Sequence, residues 1–234
     1  MMTLTWPLLR DVLHLFYPPT CLHCGSGLVH EKEPVCISCL SQLPFTHFEK
    51  IPDNPTERVL TGRLPIQSAA SLLHFSKGKI TQSLLHALKY KNEQALGIWL
   101  GKLAAYSIQQ SGRFEKIDYL LPVPMHPAKE KKRGYNQAAL IAEGMASVMQ
   151  IPVLSKETVQ CRKTDTQTRK SRTDRWLNVA DCFYINQPDL LNKKSILLVD
   201  DVLTTGATLE AFGRTLLDCQ PSRLSVYTIA YADG

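Results

Sequence analysis

The residues with the clearest chemical meaning lie in one run, Ser195-Ile-Leu-Leu-Val-Asp200-Asp201-Val-Leu-Thr204-Thr205-Gly206-Ala207-Thr208-Leu209. Its apolar half reads as a buried strand that delivers two adjacent carboxylates, Asp200 and Asp201, to a turn. A Thr/Gly loop follows and opens directly into a helix. Backbone N–H groups and hydroxyls of such a loop can hold an anion, and the helix N-terminus adds a favourable dipole. Two acids beside a phosphate cradle suit a sugar phosphate whose hydroxyls, or whose Mg²⁺, need a negative partner. An ordinary strand-to-helix connection with an acidic N-cap would account for the acids. It would not require Thr-Thr-Gly-Ala-Thr after them.

A second constellation has the spacing of metal ligands. Cys21-Leu-His-Cys24 and Cys36-Ile-Ser-Cys39 are two CxxC pairs separated by eleven residues. Each pair presents two thiolates from a tight knuckle, and together they complete a tetrahedral S₄ site of the zinc-ribbon kind. A segment this short cannot fold on apolar burial alone, so metal binding would supply its folding energy. Disulfides fit poorly with a cytosolic chain. His23 and His30 are read as bystanders, because four thiolates already fill the site. Cys161, Cys182 and Cys219 are scattered and read as small buried hydrophobes.

The elements that must position these groups follow from pattern and composition. A chain of 234 residues has room for one α/β domain and a small accessory module. Hydrophobic residues make up 44%, enough for a core, and the formal charge of +6 suits anionic ligands such as phosphates or nucleic acid. No apolar stretch reaches bilayer-spanning length, so stable membrane insertion is not expected. Met1 to Thr20 lacks a basic leader and a small-residue cleavage site, and a cytoplasmic protein is expected. Residues 4–17 carry apolar positions at helical spacing and predict a short amphipathic helix closed by Pro18-Pro19. Residues 44–65, rich in Pro and without periodicity, predict a linker or draped arm.

Beyond the arm, strands are predicted at 66–75, 118–124, 196–200 and 223–230. Helices are predicted from Ile80, over 96–108, from about Asn136, and between the last two strands. Lys129-Glu-Lys-Lys-Arg133 reads as a charged loop. This alternation argues for an α/β fold with a doubly wound, mostly parallel sheet, whose ligands bind beyond the strand C-termini. The segments 122–126 and 200–208 both fall at such ends. The expected organisation is an N-terminal helix and zinc ribbon at 1–50, a linker arm at 51–65 and the α/β domain at 66–234.

Several separated motifs together resemble the ComF family (competence protein ComF/GntX, amidophosphoribosyltransferase-like). They are the paired CxxC, Leu88-Lys89-Tyr90, Pro122-Val-Pro-Met-His126, Arg133-Gly-Tyr-Asn-Gln137, the stretch from Thr164 to Asn178, and Val199 to Thr208. The last resembles the 5-phosphoribosyl-1-pyrophosphate (PRPP) motif of type I phosphoribosyltransferases. The resemblance implies a type I phosphoribosyltransferase fold with an N-terminal zinc ribbon, structural Zn²⁺ on Cys21, Cys24, Cys36 and Cys39, and Mg²⁺ arriving with PRPP. It implies that Asp200 and Asp201 hold the ribose hydroxyls, directly or through Mg²⁺. Thr204, Thr205, Gly206, Ala207 and Thr208 would cradle the 5-phosphate. Val123, Pro124, Met125, His126 and Arg133 would lie on the pyrophosphate side.

Residues 162–178 resemble the flexible loop of glutamine-dependent PRPP amidotransferases. Gln167 and Arg175 would belong to a lid there, with Arg162, Arg169 and Arg172 helping to neutralise the departing pyrophosphate. Family members are linked to DNA uptake in naturally transformable bacteria. On that reading the basic lid, the 129–133 run and the zinc ribbon form a path for single-stranded DNA. Tyr90, Tyr135 and Trp176 are the candidates for stacking bases. The sequence displays no acceptor site, so two other functions stay open: a phosphoribosyltransferase of nucleotide or cofactor salvage, and a PRPP-sensing regulator without chemistry.

Overall fold

The computed structural model describes residues 19–27, 29, 33–154, 159–161 and 183–233. The expected helix at 4–17 and the expected lid at 162–178, with Gln167, Arg175 and Trp176, lie outside the described residues. The strands are β1 (Ser68–His74), β2 (Tyr119–Pro122), β3 (Val159–Cys161), β4 (Phe183–Ile185), β5 (Ser195–Leu203) and β6 (Arg223–Tyr231). The helices are α1 (Ile37–Leu40), α2 (Pro55–Leu60), α3 (Ile80–Tyr90), α4 (Gln94–Gln109), α5 (Pro127–Arg133), α6 (Gln137–Met149) and α7 (Ala207–Leu217). Four strands form an all-parallel sheet in the order β1-β6-β5-β2, and β3 pairs antiparallel with β4 outside it.

A parallel sheet is covered on both faces, and its central strands therefore read as continuous apolar runs. In β5, Leu197 and Val199 enter one core with α3, α4 and α6, while Ile196 and Leu198 enter the other with α7, α2 and the β3–β4 pair. All four are fully buried. The zinc-ribbon segment belongs to the first core, since Cys21, Val35, Cys36, Cys39 and Leu43 are buried with it. Helices α4 and α6 approach closely there. A Cβ added at Gly101 would collide with the Ile141 carbonyl oxygen.

Residues 44–65 are folded onto the sheet. Phe45 bridges Leu73 antiparallel, and the Thr46 N–H donates to the Leu72 carbonyl at 3.0 Å. Buried Asn54 caps α2, accepting from the Glu57 N–H, while its amide donates to the carbonyls of Phe48, Ile51 and Ala69 at 3.1, 2.9 and 2.8 Å. Leu60 and Leu64 sit in the second core. The segment lacks periodicity because polar bonding to β1, rather than one apolar helical face, holds it.

Two local expectations are corrected. Residues 129–133 are helical rather than looped. Pro127 at the first turn, His126 as N-cap, Glu130 early, Lys131 to Arg133 late and Gly134 in the left-handed conformation (φ 85°) are all helix-favouring. This helix buries no residue, so no apolar period announced it. The acids of the first motif lie on the strand and not in the turn: β5 continues to Leu203, with Asp200 opposite Thr228 and Val202 opposite Ala230. The last rungs of the β6 ladder extend pairing past the acids, which nothing local to the motif specifies. Among the described residues no helix is long and apolar enough to cross a membrane.

Candidate functional site

A cavity of about 440 Å³ opens beyond the C-terminal ends of β2 and β5. Val123, Pro124, Met125, His126, Arg133, Asp200, Asp201 and Thr208 all line it. A smaller hollow of about 40 Å³ is lined by Asp200, Thr204, Thr205, Gly206, Ala207 and Thr208. Asp200 and Thr208 are common to both, so a ligand with one phosphate in the hollow and its body in the cavity would pass the two acids. Every residue expected from the sequence to hold PRPP that the structure describes lies on one of these two surfaces.

The turn after β2 is pinned at its first residue, Val123, through both of its backbone polar groups. The Val123 N–H donates to the Val199 carbonyl at 2.9 Å, and Asn136 donates its side-chain amide to the Val123 carbonyl at 2.9 Å. With Pro124 lacking an N–H, the Met125 and His126 amides are the donors this turn can offer a ligand. His126 accepts the Ala128 N–H at its Nδ1 (3.2 Å), which starts α5. Arg133 donates to Gln137 Oε1 at 2.8 Å and places its guanidinium 5.7 Å from the centre of the Tyr90 ring.

The acid pair is electrostatically uneven. Burial first, and then the adjacent Asp201 charge, push the Asp200 carboxyl far above the usual carboxylate range. The Asp201 N–H, 2.8 Å from Asp200 Oδ1, and the Lys89 charge oppose that rise only in part. Asp201 instead meets the Lys89 ammonium at 2.8 Å. One acid thus favours its neutral form while the other is paired with a cation. Two hard carboxylates with a single ammonium between them are a donor set that suits a hard divalent cation such as Mg²⁺.

Several cavity residues carried no site assignment from sequence. Lys89 lies in the last turn of α3 and was visible only as the middle of Leu88-Lys89-Tyr90. Asn136, Gln137, Cys161 and Phe183 also line the cavity, as does Lys129, which the sequence placed only on the DNA path. Cys161 and Phe183 reach it through the β3–β4 pairing, which no local pattern predicts. Tyr135 is buried and donates its hydroxyl to the Leu88 carbonyl at 2.5 Å, so it is not available to stack a base. Tyr90 remains 64% exposed beside Arg133.

The four N-terminal cysteines converge, with ligand sulfurs all within 4.8 Å of one another. Cys24 Sγ and Cys36 Sγ lie 3.7 Å apart. Zn–S bonds of about 2.3 Å in a tetrahedron give an edge of about 3.8 Å, so this spacing fits zinc and is too long for a disulfide. Burial opposes ionisation of the Cys21 thiol, but backbone hydrogen bonds at Cys24, Cys36 and His23, with the Cys24 side chain, bring it down to about 6. Burial, and then its three sulfur neighbours, push Cys39 up. Thiols this close cannot all ionise without a cation among them, and structural zinc would supply that charge. His23 bonds Ser83 of α3 at 3.1 Å instead of joining the cluster.

Comparison with known proteins agrees with both halves. Residues 129–233 match a family model described as "Phosphoribosyl transferase domain", and residues 12–50 match "Double zinc ribbon domain". The chain is 26% identical to Competence protein F of Haemophilus influenzae over 92% of its own length and 85% of that protein. It is 26% identical to DNA utilization protein YhgH of Salmonella typhimurium over 92% of itself and 90% of that protein. Over a shorter stretch, 44% of this chain and 40% of the relative, it is 32% identical to Competence protein ComFC of Bacillus subtilis.

Proposed function

The chain belongs to the ComF family, with a phosphoribosyltransferase domain behind a zinc ribbon, and from that premise we propose that it binds PRPP with Mg²⁺ and handles single-stranded DNA during DNA uptake. One observation carries the PRPP reading: the phosphate-sized hollow at the start of α7 adjoins the larger cavity across Asp200 and Thr208, with Asp201 on the cavity side. The hollow takes the 5-phosphate on loop amides, hydroxyls and the α7 dipole. Asp200 and Asp201 take the ribose hydroxyls and hold Mg²⁺, which spreads pyrophosphate charge when bound. Lys89, Lys129 and Arg133 offer cations to the pyrophosphate, with the Met125 and His126 amides. Such a constellation aligns a leaving group and stabilises its charge, the main requirement of phosphoribosyl transfer.

Support for the DNA reading comes from the cavity rim. Lys129, Lys131 and Lys132 are exposed on α5, the helix that ends in Arg133, whose guanidinium lies over the ring of the largely exposed Tyr90. Such a strip provides phosphate neutralisation next to an aromatic ring, as an unpaired strand requires. Names of the relatives, competence and DNA utilization, point the same way.

Calorimetry with Mg²⁺ and PRPP tests the first part. Binding is expected for the native protein and not for the Asp200→Ala/Asp201→Ala double variant; equal binding by both refutes the site. For the second part, affinity for a mixed-sequence DNA strand should fall steeply with salt, and Lys129→Gln/Lys131→Gln/Lys132→Gln should weaken all sequences alike. Absence of DNA binding at low salt, together with nucleobase-dependent pyrophosphate release, would establish the salvage transferase instead. PRPP binding with neither DNA binding nor turnover would establish a sensor.

A further inference from the structure

Arg63 lies in the arm that precedes β1, 142 residues from the phosphate loop in sequence, yet its guanidinium reaches that loop. Nη1 donates to the Thr205 carbonyl at 2.5 Å and to the Val59 carbonyl at 3.2 Å. Nε and Nη2 both donate to Glu210 Oε2, at 2.7 and 2.6 Å. The other Glu210 oxygen accepts from Arg214 Nε and Nη2 at 3.2 and 3.0 Å. Every donor of the Arg63 fork that faces the loop or α7 is thus directed at a partner, and the side chain is 28% exposed.

We propose that Arg63 is the positioning residue of the phosphate loop, holding it in its anion-binding form and cancelling the one carboxylate on the first turn of α7. Two physical effects carry this. A trans peptide points its carbonyl and the following N–H in opposite directions. Holding the Thr205 carbonyl on Arg63 therefore turns the Gly206 N–H away from the arm. The second effect is electrostatic. Glu210 sits where a helix N-terminus would attract a phosphate, and an unpaired carboxylate there would repel it. Arg63 and Arg214 share that charge between them, one on each oxygen.

The arm supports this geometry from behind. Gly206 is left-handed (φ +74°), and a Cβ placed on it would lie 3.0 Å from Val59 Cγ1, 3.2 Å from Leu60 Cδ2 and 3.3 Å from Arg63 Nη1. Arm and loop are therefore in contact at the residue where the loop turns into α7. The segment that sequence composition marks as a connector packs against the back of the phosphate loop.

The inference rests on the PRPP reading of this site, and the test separates the two. Calorimetry would compare ribose 5-phosphate, which uses the hollow, with Mg²⁺ and inorganic pyrophosphate, which uses the cavity. Arg63→Gln should weaken ribose 5-phosphate roughly tenfold, the size of one lost charge-assisted contact, and leave pyrophosphate unchanged. Arg63→Lys, which keeps the charge but loses the fork, should fall between. Adding Glu210→Gln to Arg63→Gln should recover part of the loss by removing the repelling carboxylate. If Arg63→Gln fails to fold, the Arg63→Lys comparison with the same two ligands decides alone. Unchanged ribose 5-phosphate binding, or equal weakening of both ligands, overturns the role of Arg63. Native protein that binds neither ligand overturns the PRPP reading and this inference with it.

Discussion

Replacing Gly206 by Ala tests whether the arm and the phosphate loop are packed as one unit. The cost has two parts that the structure lets us separate. The residue is left-handed at φ +74°, where a side chain costs about 1–2 kcal/mol. The new Cβ would also meet Val59 Cγ1, Leu60 Cδ2 and Arg63 Nη1 at 3.0, 3.2 and 3.3 Å. All three are side-chain atoms of the arm that must give by a few tenths of an ångström, and overpacking of this kind costs about 1–3 kcal/mol. The sum is about 2–5 kcal/mol, or a fall in Tm of roughly 4–20 °C at about 2–4 °C per kcal/mol for a chain of this size. Gly134 supplies the control. It is left-handed at φ +85° with nothing within 4 Å of where a Cβ would stand, so Gly134→Ala carries the backbone cost alone. Urea and thermal unfolding of the zinc-loaded protein would compare the two variants. Gly206→Ala should be the less stable by at least about 1 kcal/mol, and its affinity for ribose 5-phosphate should drop. Equal stability of the two variants would refute the packed arm.

The remaining predictions concern zinc and pH. Protein purified without added metal should contain one zinc per chain by elemental analysis, and Cys24→Ser should lose it. Because Cys21, Cys36 and Cys39 share a core with α3 and α4, stripping the metal should lower the Tm of the whole domain; metal-free protein melting like the native form would refute the site. Asp200 should make stability fall as pH rises from about 4 to about 8. Its folded carboxyl is raised from 3.8 to about 8 by burial and then Asp201, so the native state binds the proton that the unfolded chain releases. The slope cannot exceed about 1.4 kcal/mol per pH unit. Urea unfolding of Asp200→Asn at pH 5 and pH 8 should therefore show a variant that gains on the native protein at the higher pH, and parallel pH profiles would contradict the raised Asp200 carboxyl.

Much of the candidate site was legible in the chain because its parts are contiguous. The strand with its acids, the Thr/Gly loop and the start of α7 are fifteen consecutive residues, and the proposed anion site depends on backbone geometry that local residue types impose: an apolar run for β5, Gly206 for the left-handed turn, a helix N-terminus. The same holds for the paired CxxC, where two knuckles and one tetrahedral ion leave few alternatives. The parallel sheet was readable from strand–helix alternation, since both its faces must be buried.

What only the tertiary structure decided is non-local pairing. The β6 ladder carries β5 past Asp201, so the acids stand on a strand. The β3–β4 pair brings Cys161 and Phe183 to the cavity. Lys89 finds Asp201 across more than a hundred residues, and Arg63 finds Thr205 and Glu210 from a segment without periodicity. Helix α5 escaped notice for a related reason: it buries nothing, so its capping residues were its only signal. Hydrophobic periodicity reports which face a segment buries against its own domain. Polar contacts between distant segments leave no such period, because each needs one residue at one place, and the fold alone sets which two places meet.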